Sequence, residues 1–306
     1  MSWKTEDFLN KAVVYFQRAF DLDRENELFP LWSSLGLELL GRAALAKVHP
    51  ALLADPTDGG NLLYAFGFPS EKPPKSIPAM TLFKRLTVVV PAFKQDDFSF
   101  CTGLMTLRNA ELHSGELAFE NYPAGKWLPD FFRICKILLE FCGKELKDVL
   151  GREEANSAEE MIAASQAKLH KQVNELVKNA KLTFEALLPD ERLLKIKTAE
   201  QTILTHLDWK AHISKCPACG AKGVLKGEVV KFLEPKVTAE SIEERAIIMP
   251  ASFTCVCCGL KLPSHQHVFH VGMGDQYTES NHIAPKDYYG IEFDPRDFVD
   301  DDYGND

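Results

Sequence analysis

Long hydrophobic runs are missing from this sequence. Its longest apolar stretches, such as LTVVVPAF at 86–93, fall far short of the ~20 residues a membrane-spanning helix needs. No membrane partner is therefore expected. The opening residues, MSWKTEDFLN, place no apolar segment behind a basic start, so no export signal is read there and a cytoplasmic protein is expected. An excess of positive charge is missing too. The 35 Lys and Arg are outnumbered by 44 Asp and Glu, for a net charge of −9. That excludes a broad basic surface for nucleic acid and leaves only a local groove. Cysteine is sparse, at eight residues, and five fall into two clusters, Cys216/Cys219 and Cys255/Cys257/Cys258. In a chain read as intracellular, such clusters point to metal ligands and not to disulfides.

What remains is ordinary in amount, 45% hydrophobic and 26% charged over 306 residues, enough for two domains with separate cores. The expected fold class is mainly α: an N-terminal helical bundle, a long helical connector and a small C-terminal β module. In residues 1–151, Phe8, Val13, Tyr15, Phe16 and Phe20 recur at helical intervals, and FPLWSSLGLELLGRAALAKV reads as a second helix stopped by Pro50. Residues 55–78, rich in Gly and Pro, read as a loop. Further helices are expected around 80–93, 98–113 and 127–149.

Residues 152–205 form the polar connector. Ile162, Leu169, Val173, Leu176, Ala180, Phe184 and Leu187 mark a narrow apolar seam, which fits either packing on its own domain or an arm that pairs with a second chain. Pro189 is expected to break or kink it. Residues 206–287 carry short strand patterns, GVLKGEVVKFLEP, AIIMPASFTC and HQHVFHVG. The end, 288–306, is acidic: seven carboxylates against Arg296 leave it at −6. It reads as a disordered, solubilising tail, with damping of activity as the alternative.

CPACG at 216–220 and CVCCG at 255–259 each hold two cysteines on one tight turn followed by glycine. Cys216, Cys219, Cys255 and Cys258 are the expected ligands of one Zn2+, a structural one, since four thiolates close the shell and leave no place for water. This CPxCG…CxxCG form resembles the zinc ribbons, whose knuckles sit on β-hairpins. The 35 residues between the pairs imply an inserted hairpin. Cys257 is a substitute ligand or a bystander. His265, His267 and His270 are read on a strand, as ordinary histidines or a second metal site, and His212 as structural.

LRNAELHSGE at 107–116 ends an apolar helical pattern with Arg108, Asn109 and His113. An arginine followed by a histidine after four to six residues arises by chance about once in a chain of this composition, and Arg42/His49 is a second instance. Context separates them. Arg108 lies in line with Phe98, Cys101, Met105 and Leu112, so it is expected to face a polar cleft or a partner chain. Asn109 and His113 share a face. Arg42, among alanines, reads as a helix surface.

Arg108-Asn109-x3-His113 near a helix end, after four helices' worth of apolar pattern, resembles the HEPN family. LWSSLGLELLGRAALAKVHPALLAD likewise resembles the second helix of such domains. The resemblance covers about residues 1–150. It implies a metal-independent endoribonuclease, with no cofactor at the active site, working as a homodimer on RNA and set in a toxin–antitoxin or anti-phage defence system. An antitoxin or defence partner would follow. It implies a catalytic role for Arg108, Asn109 and His113. A non-catalytic dimeric scaffold whose ribbon binds nucleic acid or protein is the alternative. On an ideal helix Arg108 and His113 stand roughly 140° apart, so one chain is expected to supply half a site.

Overall fold

The computed structural model of the chain describes residues 2–120, 122–206, 208–238 and 240–290. It is mainly α, with eleven α-helices and an antiparallel sheet among the described residues. Two compact units divide it: Met1–Asn179 with Pro263–Val271, and Ala180–Leu262 with the chain from Gly272 onward. The acidic segment 291–306 lies outside the described residues.

In the first unit α1 (Thr5–Phe20) buries Leu9, Ala12, Phe16 and Ala19, one face at three- and four-residue steps. That face lies on α2 (Leu28–Val48), where Gly36 lets the two helices approach: a Cβ there would lie closer than 3.0 Å to the Phe16 ring. α2 is buried nearly all round, from Phe29 through Leu37 and Leu40 to Ala46, because α1, α4, α5 and α6 all pack against it.

The stretch read as a loop contains a short helix, α3 (Gly59–Ala65), capped by Asp58, which accepts from Gly60 N at 2.8 Å. Asn61, buried on α3, staples both ends of the loop. Its Nδ2 donates to Asp55 O at 3.0 Å and its Oδ1 accepts from Lys75 N at 2.7 Å. Then come α4 (Ala79–Val89), α5 (Gln95–His113), α6 (Ala124–Cys142) and α7 (Leu146–Leu150). The last two replace the single helix expected at 127–149. Gly143, at φ 77°, ends α6 in a conformation that favours glycine. Aromatic rings of α1, α2 and α6 form the centre of the core, among them Phe16, Phe29, Trp127 and Phe131.

α8 (Arg152–Glu185) and α9 (Pro189–His206) make up the connector, with Pro189 starting the second helix. Along the seam Ile162, Val173 and Ala180 are buried.

In the second unit, six antiparallel strands among the described residues are built around β4. They are β1 (Ala211–Lys215), β2 (Lys222–Phe232), β3 (Lys236–Val237), β4 (Ile242–Thr254), β5 (Lys261–Leu262) and β6 (Tyr277–Ile283), in the order β1-β2-β4-β3, with β5 and β6 also on β4. β6 was not legible as a strand. The long β2–β3–β4 excursion accounts for the wide spacing between the cysteine pairs. HQHVFHVG, read as a strand, forms instead a short helix, α10 (His265–His270). Valine and phenylalanine there favoured strand on propensity alone, which tertiary context overrides. A last turn of helix, α11, spans Pro285–Tyr288.

Candidate functional site

The cysteines are brought together by strand register. The first knuckle joins β1 to β2 and the second joins β4 to β5. Val224 near the start of β2 pairs with Thr254 at the end of β4, which sets the two turns side by side. Each turn is built alike. Cys216 N donates to Ala221 O at 2.8 Å and Gly220 N to Cys216 O at 2.9 Å. Cys255 N donates to Leu260 O at 2.9 Å and Gly259 N to Cys255 O at 2.9 Å. Gly220 and Gly259 have φ of 75° and 79°, the left-handed conformation that lets each chain turn under its sulfurs.

The sulfurs of Cys216, Cys219, Cys255 and Cys258 all lie within 4.8 Å of one another. Cys216 Sγ is 3.5 Å from Cys258 Sγ, and Cys219 Sγ is 3.7 Å from Cys255 Sγ. Ligands ~2.3 Å from a tetrahedral zinc stand about 3.8 Å apart, so the donor set fits a metal ion such as zinc. Electrostatics point the same way. The hydrogen bond with Cys216 draws the Cys255 thiol down to about 5, while burial pushes Cys258 up to about 12. One thiolate is stabilised and the rest resist ionising together, the condition that a divalent cation relieves. Cys257 is buried but outside the group of four.

The second candidate site lies on α5. Asn109 and His113 are exposed on its last turns, four residues apart. Arg108 faces the other way and is half-buried. Its Nη2 lies 3.1 Å from Glu38 Oε2 of α2, and its Nε is buried without a hydrogen-bond partner. The polar surroundings expected for Arg108 are thus supplied within the chain. Arg108 and His113 do not meet.

Arg42 is not the free helix surface that its alanine neighbours implied. It is half-buried. Its Nε and Nη2 donate to Glu38 Oε1 at 3.0 and 2.6 Å, its Nη1 to Ser76 Oγ at 3.0 Å, and Nη2 also to Ile77 O at 3.1 Å. Both arginines therefore converge on Glu38, a residue with no sequence signal beyond lying four positions before Arg42. His49 caps the following 3-10 turn, its Nδ1 accepting from Ala51 N at 3.0 Å.

A further buried pair went unread in the sequence. Asp97, on α5, is 1% exposed and lies 2.6 Å from Arg133 Nη1 of α6. Burial raises its carboxyl against the pull of Arg133. No helix among the described residues is long and apolar enough to cross a membrane.

Fold and site together define a mainly helical chain with a four-cysteine cluster at the end of an antiparallel sheet. No protein-family model matches the chain, and no curated protein and no solved structure matches it.

Proposed function

We propose that the chain is an endoribonuclease of the HEPN type, active as a homodimer, with a structural zinc ion in its cysteine cluster. The observation that carries this reading is the end of α5. There an exposed imidazole and an exposed carboxamide lie one helical turn apart, directly after an arginine whose guanidinium is held in place by Glu38. RNA brings its own nucleophile, the 2′-hydroxyl. His113 takes or returns its proton and Asn109 orients the phosphate, while Arg108, which faces away from His113 within its own chain, acts on the developing charge from the second copy, across the dimer. The products are a 2′,3′-cyclic phosphate and a 5′-hydroxyl, and no metal is needed at this step. A second copy supplies the second imidazole, so that one acts as base and the other as acid. A toxin or anti-phage effector, restrained by an antitoxin or another defence partner, is the natural setting for such an activity.

The pairing of Arg108 with Glu38 favours a second reading. An arginine engaged in an ion pair between helices is also what a non-catalytic dimeric scaffold would contain. The two readings part on one measurement: cleavage of total RNA by the zinc-loaded wild type and by zinc-loaded His113→Ala, in buffer without added Mg2+ or other free divalent cations. Loss of about 10²–10⁴ in rate supports the nuclease. Equal rates, or no cleavage by either, sink it.

A further inference from the structure

The histidines of α10 have no part in the proposed RNA chemistry or in the cysteine cluster, and one of them meets a partner far along the chain. His270 Nδ1 lies 3.4 Å from His170 Nδ1 of α8, with ring centroids 5.1 Å apart and planes at 72°. Both residues belong to the first unit. His170 is exposed and His270 half-buried, so the space between the rings is open to solvent ions.

Two chemistries are available to such a pair. One is a hydrogen bond from one neutral imidazole to the other, but 3.4 Å is longer than the usual range of about 2.7–3.2 Å for an N–H donor. The other is a shared cation. Nitrogens ~2.0–2.1 Å from a tetrahedral metal ion stand about 3.4 Å apart, which is the separation found. No aspartate or glutamate forms an ion pair with either ring among the described residues.

We propose that His170 and His270 form a second metal site, a two-imidazole chelate for a transition-metal ion that ties α8 to α10. Among the described residues no further His, Cys, Asp or Glu joins them to make a group of three. The remaining coordination positions are therefore left to water or to a small ligand, unlike the closed shell of the four cysteines. Imidazole donors select Cu2+, Ni2+ and Zn2+, whereas Mg2+ and Ca2+ require oxygen ligands. The inference does not depend on the ribonuclease reading.

The test uses the full chain with its cysteine cluster saturated with Zn2+, titrated calorimetrically with Ni2+. Wild type is expected to take up one additional ion, and His170→Gln and His270→Gln each to weaken that binding at least tenfold. Mg2+ at the same concentration is expected to give no binding. A measurement on the unaltered chain covers the case in which a variant misfolds. Paramagnetic Ni2+ should broaden the imidazole NMR signals of His170 and His270 before those of His212 and His282. Absence of the additional ion, its retention in either folded variant, equal binding of Mg2+, or broadening that begins elsewhere would each overturn the proposal.

Discussion

Glu38 Oε2 and Arg108 Nη2 lie 3.1 Å apart across the α2–α5 junction, both side chains about one-seventh exposed. The other carboxylate oxygen of Glu38 holds Arg42. Two guanidinium groups thus depend on one acid. Glu38→Gln should destabilise the chain by about 2–4 kcal/mol, because it leaves both cations short of a counter-charge in a half-buried place. Urea unfolding measures this, and a loss under 1 kcal/mol would show that the network is dispensable.

Arg42 makes four hydrogen bonds to three residues, whereas Arg108 has one ion pair and a long contact with Met105 Sδ. Arg42→Ala should therefore cost more stability than Arg108→Ala. Asn109→Ala and His113→Ala, at exposed positions, should each stay within about 0.5 kcal/mol of wild type. A loss of RNA cleavage by the last two would then report chemistry and not unfolding.

Zinc in the cysteine cluster should measure one ion per chain by elemental analysis. Chelation, or Cys255→Ser, should abolish the native fold of the sheet, since metal binding in small modules is coupled to folding. Cys257→Ser should leave the zinc content unchanged. A chain that keeps its strand signal in circular dichroism after losing the metal would overturn this.

Gly227 and Gly103 make a matched pair. A Cβ at Gly227 would lie closer than 3.0 Å to the carbonyl oxygen of Met249 on the paired strand, at the register shift after Lys226. At Gly103, inside α5, it would meet nothing within 4 Å. Gly227→Ala should destabilise by about 1–3 kcal/mol, and Gly103→Ala should stabilise by about 0.5–1 kcal/mol. Thermal melts of both variants decide it.

Asp55 supplies a pH dependence. Its Oδ1 accepts from Thr57 Oγ1 at 2.6 Å and from Thr57 N at 3.0 Å, and Lys75 Nζ lies 3.5 Å from Oδ2. The Thr57 side-chain hydrogen bond, foremost among these contacts, holds its carboxyl below the usual value. A depressed folded-state pKa gives stability that is full above about pH 3.9 and lost as pH falls through the folded value. The stability gap between wild type and Asp55→Asn should be constant from pH 5 to 7 and close below pH 4. A gap that persists at pH 2 would contradict this assignment.

Local patterns determined a good part of the molecule. Helical periodicity marked α1, α2 and α5, and Pro189 marked the break between α8 and α9, because these signals act within a few residues. The two Cys-x2-Cys-Gly turns were legible for the same reason, each being a self-contained backbone structure. Asn109 and His113 were read on one helix face, which needs only the helix repeat, and the structure shows both of them exposed. Tertiary structure alone decided the rest. Nothing near Arg42 or Arg108 in the sequence announces that both converge on Glu38, or that Asp97 is buried against Arg133. HQHVFHVG became α10, and it brings His270 to His170 across 100 residues. The β2–β4 register, not the spacing of the cysteines, put their sulfurs within 4.8 Å. Spacing rules describe what one turn or one strand presents, whereas charge pairs and metal geometry depend on which elements the core packs together.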